Sequence, residues 1–275
     1  MKFQILVDSA SDLKDKYIND PEIGFKVVPL TILAGEKEFV DDENLNVDEM
    51  LASMHACKKT TTACPAPQTY LDELPNAEYT FIVTITSKLS GSYNAACVAR
   101  DSYDKPENVF VIDSKATSGV EILIVEKLVA LIKQGLSYEE ICKEISEFRD
   151  EKELFFILQR FDNLVANGRM SKIAGLIASA LVLRPICIAD QGQIKIAKKV
   201  IGTKNAFTKM IQMIGEKIKN VNEKVLIITH CKAESEALKI KEEVEKKYDF
   251  KEVRVQPMGG LCSYYALEKG IIVCG

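Results

Sequence analysis

Hydroxyl side chains cluster where a predicted strand meets a predicted helix. The apolar run Thr80 to Ile85 indicates a buried strand, and a helix is predicted from about Tyr93 to Arg100. Between them, Gly91 would let the backbone approach a ligand closely, and free N–H groups at a helix N-terminus favour an anion. Ser90 and Ser92 could add hydroxyl donors. Serines at this position are also typical helix N-caps, so the spacing leaves an anion site and a simple cap both open.

Two more predicted strands end in polar residues, Asp8-Ser9 and Asp113-Ser114. Because ligands bind outside the carboxyl ends of strands in parallel α/β sheets, we expect these ends to converge on one crevice. The threonines before Cys64 form either a polar turn or a second wall of that crevice. The segment Thr60 to Pro67 is predicted to be a loop, since its two prolines disfavour regular structure.

Sequence motifs for covalent chemistry are absent. The chain has no nucleophile elbow, phosphate-binding P-loop, dinucleotide fingerprint or zinc-protease motif. The two histidines, His55 and His230, are expected to be structural, and no catalytic residue, metal or cofactor is predicted. One alternative stays open: an enzyme acting on a small phosphorylated or carboxylated metabolite, with Asp8, Asp113 or His230 as the base.

The elements that would position these residues alternate between strands and helices. The 275 residues fit two α/β lobes, residues 1–150 and 151–275. The order of elements in the first lobe predicts a mostly parallel sheet. A mixed sheet is expected in the second lobe, which contains a predicted hairpin around Asp190–Gly192 and a βαβ unit over Val225 to Gln256. Ser137 and Glu140 form a predicted capping box.

Composition excludes several classes of protein. The net charge is −4 without a basic stripe, so no nucleic-acid partner is expected. The longest apolar stretch, Ile173 to Leu183, is far shorter than the roughly 20 residues that span a bilayer. The first residues lack the apolar core of a signal peptide, which predicts a cytoplasmic protein. Ser171 to Leu183 is apolar nearly all round, and therefore predicts a helix that is deeply buried or lines a cavity.

The order of these motifs resembles that of the DegV family, whose members bind fatty acids and serve as the lipid-presenting partner of bacterial fatty acid kinase. The resemblance covers nearly the whole chain. It rests on five segments: Asp8–Leu13 (D-S-A-S-D-L), Thr62–Ala66 (T-A-C-P-A), Ser87–Tyr93 (S-K-L-S-G-S-Y), Val111–Lys115 (V-I-D-S-K) and Asn167–Ser171 (N-G-R-M-S).

The resemblance implies a two-lobe fold with an acyl tunnel between the lobes, and a lipid-binding protein that is not an enzyme. The fatty acid carboxylate would bind Thr62 and Ser90 near the N–H of Gly91, with Ser92 as a further candidate. Arg169 would face the catalytic subunit of the kinase, to which the carboxylate is presented for acyl phosphate formation. The candidates for the tunnel wall are Ile173, Leu176, Ile177 and Ala180.

The chain departs from the family pattern in two places. Ala63 and Cys64 stand where the family usually has Ser and Gln. The family's C-terminal H-x-G-P-G segment, whose histidine touches the carboxylate, has no histidine here, and Ser263 or Tyr264 could substitute as a neutral donor. A regulatory protein with a vestigial pocket is therefore a further alternative.

Overall fold

The computed structural model describes residues 1–171 and 183–275. Within this part, the chain forms two compact units. The first comprises Met1–Glu151 together with Gly259–Leu261, and the second comprises Lys152–Met258 and Cys262–Gly275. The predicted assignment of separate roles to residues 1–150 and 151–275 stays a prediction.

The first unit contains three-residue 3-10 turns besides its strands and helices. Its strands are β1 (Phe3–Asp8), β2 (Ile23–Val28), β3 (Thr31–Ala34), β4 (Lys37–Val40), β5 (Thr60–Ala63), β6 (Tyr79–Thr84) and β7 (Val109–Asp113). Its helices are α1 (Val47–Ala56), α2 (Pro67–Leu71), α3 (Ser92–Asp101), α4 (Gly119–Lys133) and α5 (Tyr138–Asp150).

The main sheet of the first unit is parallel throughout, as the alternating elements predicted. Its strand order is β2-β1-β6-β7. Every residue of β1 is buried, which explains why this strand is a continuous apolar run that ends in Asp8. Helices α2 and α3 pack on one part of the sheet through Tyr70 and Ala96, and Leu74, from the 3-10 turn after α2, joins the same cluster. This packing holds the start of α3 beside the strand ends.

A separate antiparallel sheet corrects one prediction. Its order is β4-β3-β5, and β3 and β4 form an antiparallel hairpin. The predicted loop from Thr60 was wrong over its first four residues, which form β5 and pair with β3. Threonine is β-branched and suits a strand, and both prolines, Pro65 and Pro67, lie beyond the last paired residue, Ala63.

The last helix of the first unit begins as predicted. The Ser137 hydroxyl accepts from the N–H of Glu140, and the Glu140 carboxylate accepts from the N–H of Ser137. Gly135, at φ +77, ends the preceding helix in a conformation that favours glycine.

In the second unit, α6 (Asp162–Ala166) follows β8 (Leu154–Ile157). The next elements are β9 (Leu183–Asp190), β10 (Gln193–Ile201), α7 (Thr203–Lys217), β11 (Val225–His230), α8 (Glu234–Glu245), β12 (Glu252–Pro257), α9 (Gly260–Ala266) and β13 (Ile271–Cys274). The first two residues of α9, Gly260 and Leu261, lie in the three-residue segment that belongs to the first unit.

The sheet of the second unit is mixed, which confirms the α/β class predicted for both halves. The strand order is β10-β9-β8-β13-β11-β12. The pair β11 and β12 is parallel, as the predicted βαβ unit requires, and the other pairs are antiparallel. The predicted helix Ser171 to Leu183 falls almost wholly on residues outside the described ranges.

Two carboxylates fix the returning segment Gly259–Leu261 within the first unit. Asp41 is buried and accepts from the N–H groups of Gly260 and Leu261, both at 2.8 Å. Asp12 accepts from the N–H of Gly259 at 2.7 Å. A Cβ at Gly260 would lie 2.3 Å from Leu45 Cδ2, so this position has no space for a side chain.

Candidate functional site

The polar ends of three neighbouring strands meet at one edge of the parallel sheet. Asp8, at the end of β1, accepts from the N–H of Ile85 at 3.0 Å, just beyond β6. Asp113, at the end of β7, accepts from the N–H of Ser87 at 3.2 Å. The expected convergence of these strand ends is therefore confirmed, and both carboxylates hold the loop that carries Ser90 and Gly91.

This loop turns tightly before α3. The N–H groups of Leu89 and Ser90 both donate to the carbonyl of Thr86. The half-buried Ser90 hydroxyl accepts from the N–H of Ser92 at 3.2 Å, so its own hydrogen can point towards a ligand. Gly91 is the N-cap of α3 and has no side chain to cap it. Among the residues described, the N–H of Gly91 donates to none, and it lies at the positive end of the ten-residue helix.

The end of β5 lies beside this loop. A Cβ built on Gly91 would be 3.0 Å from Cys64 Sγ, so Cys64 directly contacts the space above the glycine. Thr62 is two residues earlier, half-buried on β5 and opposite Ile32. The two hydroxyl-bearing segments that the sequence singled out thus lie side by side. Hydroxyls and backbone N–H groups in this arrangement can bind an oxyanion.

Ser92 has different partners from those predicted. Its side chain is fully buried, and its hydroxyl donates to Asp8 Oδ2 at 2.5 Å and lies 2.8 Å from the Tyr70 hydroxyl. Because the single hydroxyl hydrogen of Ser92 is used by the carboxylate, this side chain supports the loop from beneath. Direct contact between Ser92 and a ligand carboxylate stays an untested prediction, and the structure favours a supporting role.

Burial determines the electrostatics beneath the loop. Burial raises the pKa of Asp8 to about 6, although hydrogen bonds from Ser92 and from the N–H of Ile85 oppose the shift. Burial, and then the charge of Asp8, raise the pKa of Glu121 well above its usual value. Burial also raises the pKa of Tyr70, with the charge of Asp8 as the next cause.

Glu121 was missed by the sequence analysis. It lies in the first turn of α4 and is fully buried. The available signal was an acidic residue within a stretch that is otherwise apolar, from Gly119 to Val125. An acid at such a position is seldom buried unless it is paired, and here it faces Asp8.

Arg169 belongs to a hydrogen-bonded group in the second unit. Its guanidinium donates to the carbonyl of Asn167, whose side-chain amide donates to the hydroxyl of Tyr264 at 2.8 Å. Asn163 donates to the carbonyl of Tyr264 at 2.6 Å. Ser263, the other candidate for replacing the family histidine, has its hydroxyl 3.5 Å from the carbonyl of Met258. Whether Tyr264 or Ser263 contacts a ligand is untested.

His230 has a structural partner, in line with its expected role. Its Nδ1 accepts from the N–H of Ala233 at 3.3 Å, just before α8, and burial lowers its pKa. Within residues 1–171 and 183–275, no three His, Cys, Asp or Glu side chains are grouped as ligands of a metal ion. Over the same ranges, no helix is both long and apolar enough to cross a membrane. The tunnel-wall candidates Ile173, Leu176, Ile177 and Ala180 lie outside the described residues.

The fold and the candidate site together define an α/β protein with a hydroxyl-bearing loop at the strand ends of its parallel sheet. A family model described as "Uncharacterised protein, DegV family" matches residues 2–274. The chain belongs to the DegV family, which confirms the resemblance seen in its motifs.

Relatives of the chain cover its full length. It is 34% identical over 278 residues to a DegV domain-containing protein of Streptococcus pyogenes serotype M1, covering 99% of each chain. The Streptococcus pneumoniae Fatty Acid Kinase (Fak) B3 protein loaded with linoleic acid is 33% identical, with a TM-score of 0.94 over 100% of this chain and 99% of that one. A DegV family protein of Eubacterium eligens loaded with heptadecanoic acid is 34% identical, with a TM-score of 0.90 over 99% and 98%.

Proposed function

We propose that this protein binds one long-chain fatty acid and presents the carboxylate to the catalytic subunit of a kinase, which forms the acyl phosphate. The proposal rests on one observation: the Ser90–Gly91 loop lies beside the end of β5, the strand that carries Thr62. The solved relatives loaded with linoleic and heptadecanoic acid support the class of ligand.

The head group and the tail have separate roles in this proposal. Burial of the acyl chain supplies most of the binding free energy, at about 0.8 kcal/mol for each methylene. The hydroxyls of Thr62 and Ser90 and the N–H of Gly91 orient the carboxylate and distinguish an acid from an alcohol or ester. A hydrogen bond to a charged group contributes about 1.5–3 kcal/mol.

In this proposal the catalytic subunit of the kinase carries out the phosphoryl transfer. Asp113 accepts hydrogen bonds from the backbone N–H groups of Ser87 and Lys115, and so has a structural role in holding the Ser90–Gly91 loop. Asp8 is buried beneath the loop. The proposal therefore assigns ATP binding and metal binding to the kinase, and assigns Arg169 to the surface that the kinase contacts.

Mass spectrometry tests the binding proposal directly. The protein is purified from cells, denatured and extracted into organic solvent, and the extract is analysed for acyl chains. A fatty acid present at about one per protein supports the proposal and identifies tail length and unsaturation. An extract without fatty acid, together with no binding of added fatty acid, would refute the proposal. It would favour one of the two alternatives, a regulatory protein with a vestigial pocket or an enzyme acting on a small metabolite.

A further inference from the structure

The loop that carries the head-group site rests on a buried pair of carboxyl groups. Asp8 accepts at Oδ2 from the N–H of Ile85 and from the Ser92 hydroxyl, which lie at the two ends of the loop. Its Oδ1 accepts from the N–H of Ala10. One side chain thus fixes both the entry and the exit of the segment that presents Ser90.

Glu121 faces Asp8 from α4. Both oxygens of the buried Glu121 carboxyl lack a hydrogen-bond partner among the described residues, and the nearby charge of Asp8 raises the pKa of this group. Two buried carboxyl groups that lie close together do not both ionise readily, because like charges repel. Asp8 accepts from two N–H groups and one hydroxyl, which stabilise its charged form, whereas burial and the charge of Asp8 raise the pKa of Glu121 and favour its neutral form.

Other titratable groups facing this pair are acids or weak acids. Asp12 and Asp113 lie close enough to raise the pKa of Glu121, from the turn after β1 and from the end of β7. Tyr70 contacts Ser92 from α2, and Cys64 faces Tyr70. These groups add no positive charge to offset Asp8.

A single residue connects this charge to the proposed head-group site. The Ser92 hydroxyl donates to Asp8, and the Ser92 N–H donates to the Ser90 hydroxyl at 3.2 Å. An anionic head group bound at Ser90 would therefore be connected to the buried Asp8 carboxylate through Ser92. Like charges repel more strongly across buried protein than across water.

We propose that Asp8 is a positioning residue whose protonation is linked to head-group binding, so that a carboxylate bound at Ser90 causes Asp8 to take up a proton from solvent. The inference rests on the proposed function, because it requires an anionic ligand at Ser90. Its consequence is that acidification strengthens the binding of a carboxylate, and a rise in pH favours its release. A neutral ligand of the same length has no such dependence.

Proton uptake measured by calorimetry tests the linkage. Decanoate and decanol are titrated into the protein at pH 6.5 in two buffers with different heats of ionisation, and affinities are measured from pH 5.5 to pH 8. We expect uptake of a fraction of a proton for decanoate and none for decanol. The decanoate affinity should fall by about tenfold across this range, as for two like charges at an intermediate effective dielectric constant.

Three variants test whether Asp8 is the group that takes up the proton. Asp8→Asn should abolish both the uptake and the pH dependence, whereas Glu121→Gln, which places a neutral side chain of the same shape beside Asp8, should keep both. Glu126→Gln, on the same helix and paired with Tyr17, is the matched control and should behave as the unaltered protein. If Asp8→Asn does not fold, Glu121→Gln decides the assignment: uptake that persists in this variant supports Asp8, and uptake that vanishes overturns it.

The outcomes separate the inference from the proposed function. Decanoate that binds without proton uptake and with a flat pH profile overturns the linkage and leaves the function standing. Uptake that survives in Asp8→Asn and vanishes in Glu121→Gln overturns the assignment to Asp8. If neither ligand binds at any pH, the proposed function fails and the linkage fails with it.

Discussion

Replacing Ser90 by alanine should change which head groups the protein prefers more than how tightly it holds a tail. The substitution removes the Ser90 hydroxyl, which accepts from the N–H of Ser92 and keeps its own hydrogen for a ligand. A hydrogen bond to a charged carboxylate contributes about 1.5–3 kcal/mol, and one to a neutral hydroxyl about 0.5–1.5 kcal/mol. The acid should therefore lose about ten- to a hundred-fold in affinity and the alcohol only a few-fold.

The loop itself should survive the Ser90→Ala change. The Ser90 hydroxyl accepts from the N–H of Ser92, at a half-buried position where water can replace it. Asp8 continues to hold Ile85 and the Ser92 hydroxyl, so the loop ends keep their anchors. An altered affinity can then be attributed to the lost hydroxyl.

Calorimetric titration of decanoate and decanol at pH 7.5 measures the difference. Ser102→Ala, at the other end of α3 and exposed, is the matched control and should bind both ligands as the unaltered protein does. Equal losses for acid and alcohol in Ser90→Ala would refute the division between head-group recognition and tail burial. No loss for either would exclude Ser90 from the site.

Four further changes have defined outcomes. Gly260→Ala should lower the free energy of unfolding in urea by about 1–3 kcal/mol, because the new Cβ would meet Leu45 at 2.3 Å. Ser137→Ala should cost about 1 kcal/mol in the same assay, because the α5 cap is lost. Burial raises the pKa of Asp8 from 3.8 to about 6, so the folded state binds this proton more tightly than the unfolded state does. Relative to Asp8→Asn, the free energy of unfolding should therefore rise by about 3 kcal/mol as the pH falls from 6 to 3.8, and this gain should be lost as the pH rises through 6. Arg169→Ala should reduce acyl phosphate formation by a reconstituted kinase without altering decanoate affinity, and equal binding and turnover losses would contradict its assignment to the partner surface.

Elements with a strong local signal were predictable. The period of apolar residues located the helices, and the capping box placed the start of α5 at the correct residue. The order of strands and helices was sufficient to predict a parallel sheet, because a parallel pair needs a crossover connection. The convergence of the strand ends at Asp8 and Asp113 followed from that topology and required no knowledge of side-chain contacts.

Features that depend on partners distant in the chain were not predictable. Thr60–Ala63 forms a strand because β3, almost 30 residues earlier, offers an unpaired edge, and the local sequence shows only threonines before prolines. The return of Gly259–Leu261 to the first unit depends on Asp41, more than 200 residues away in the chain. A carboxylate in a polar stretch gives no sign that it will be buried and will accept from those N–H groups.

The two serines of the head-group loop show that a sequence can locate a candidate site without distinguishing the roles of its residues. Ser90 and Ser92 are the same residue type on either side of Gly91, and spacing gave both the same predicted contact. The fold separates them: Ser90 lies in the loop, whereas Ser92 begins α3 with its side chain buried, where its hydroxyl donates to Asp8. Ser90 stays at the surface of the loop with its hydrogen available, so a carboxylate can be recognised by one serine only while the other holds that serine in place. The charge of Asp8 is therefore inseparable from the architecture of the site, and any anion bound at Ser90 must be accommodated against it.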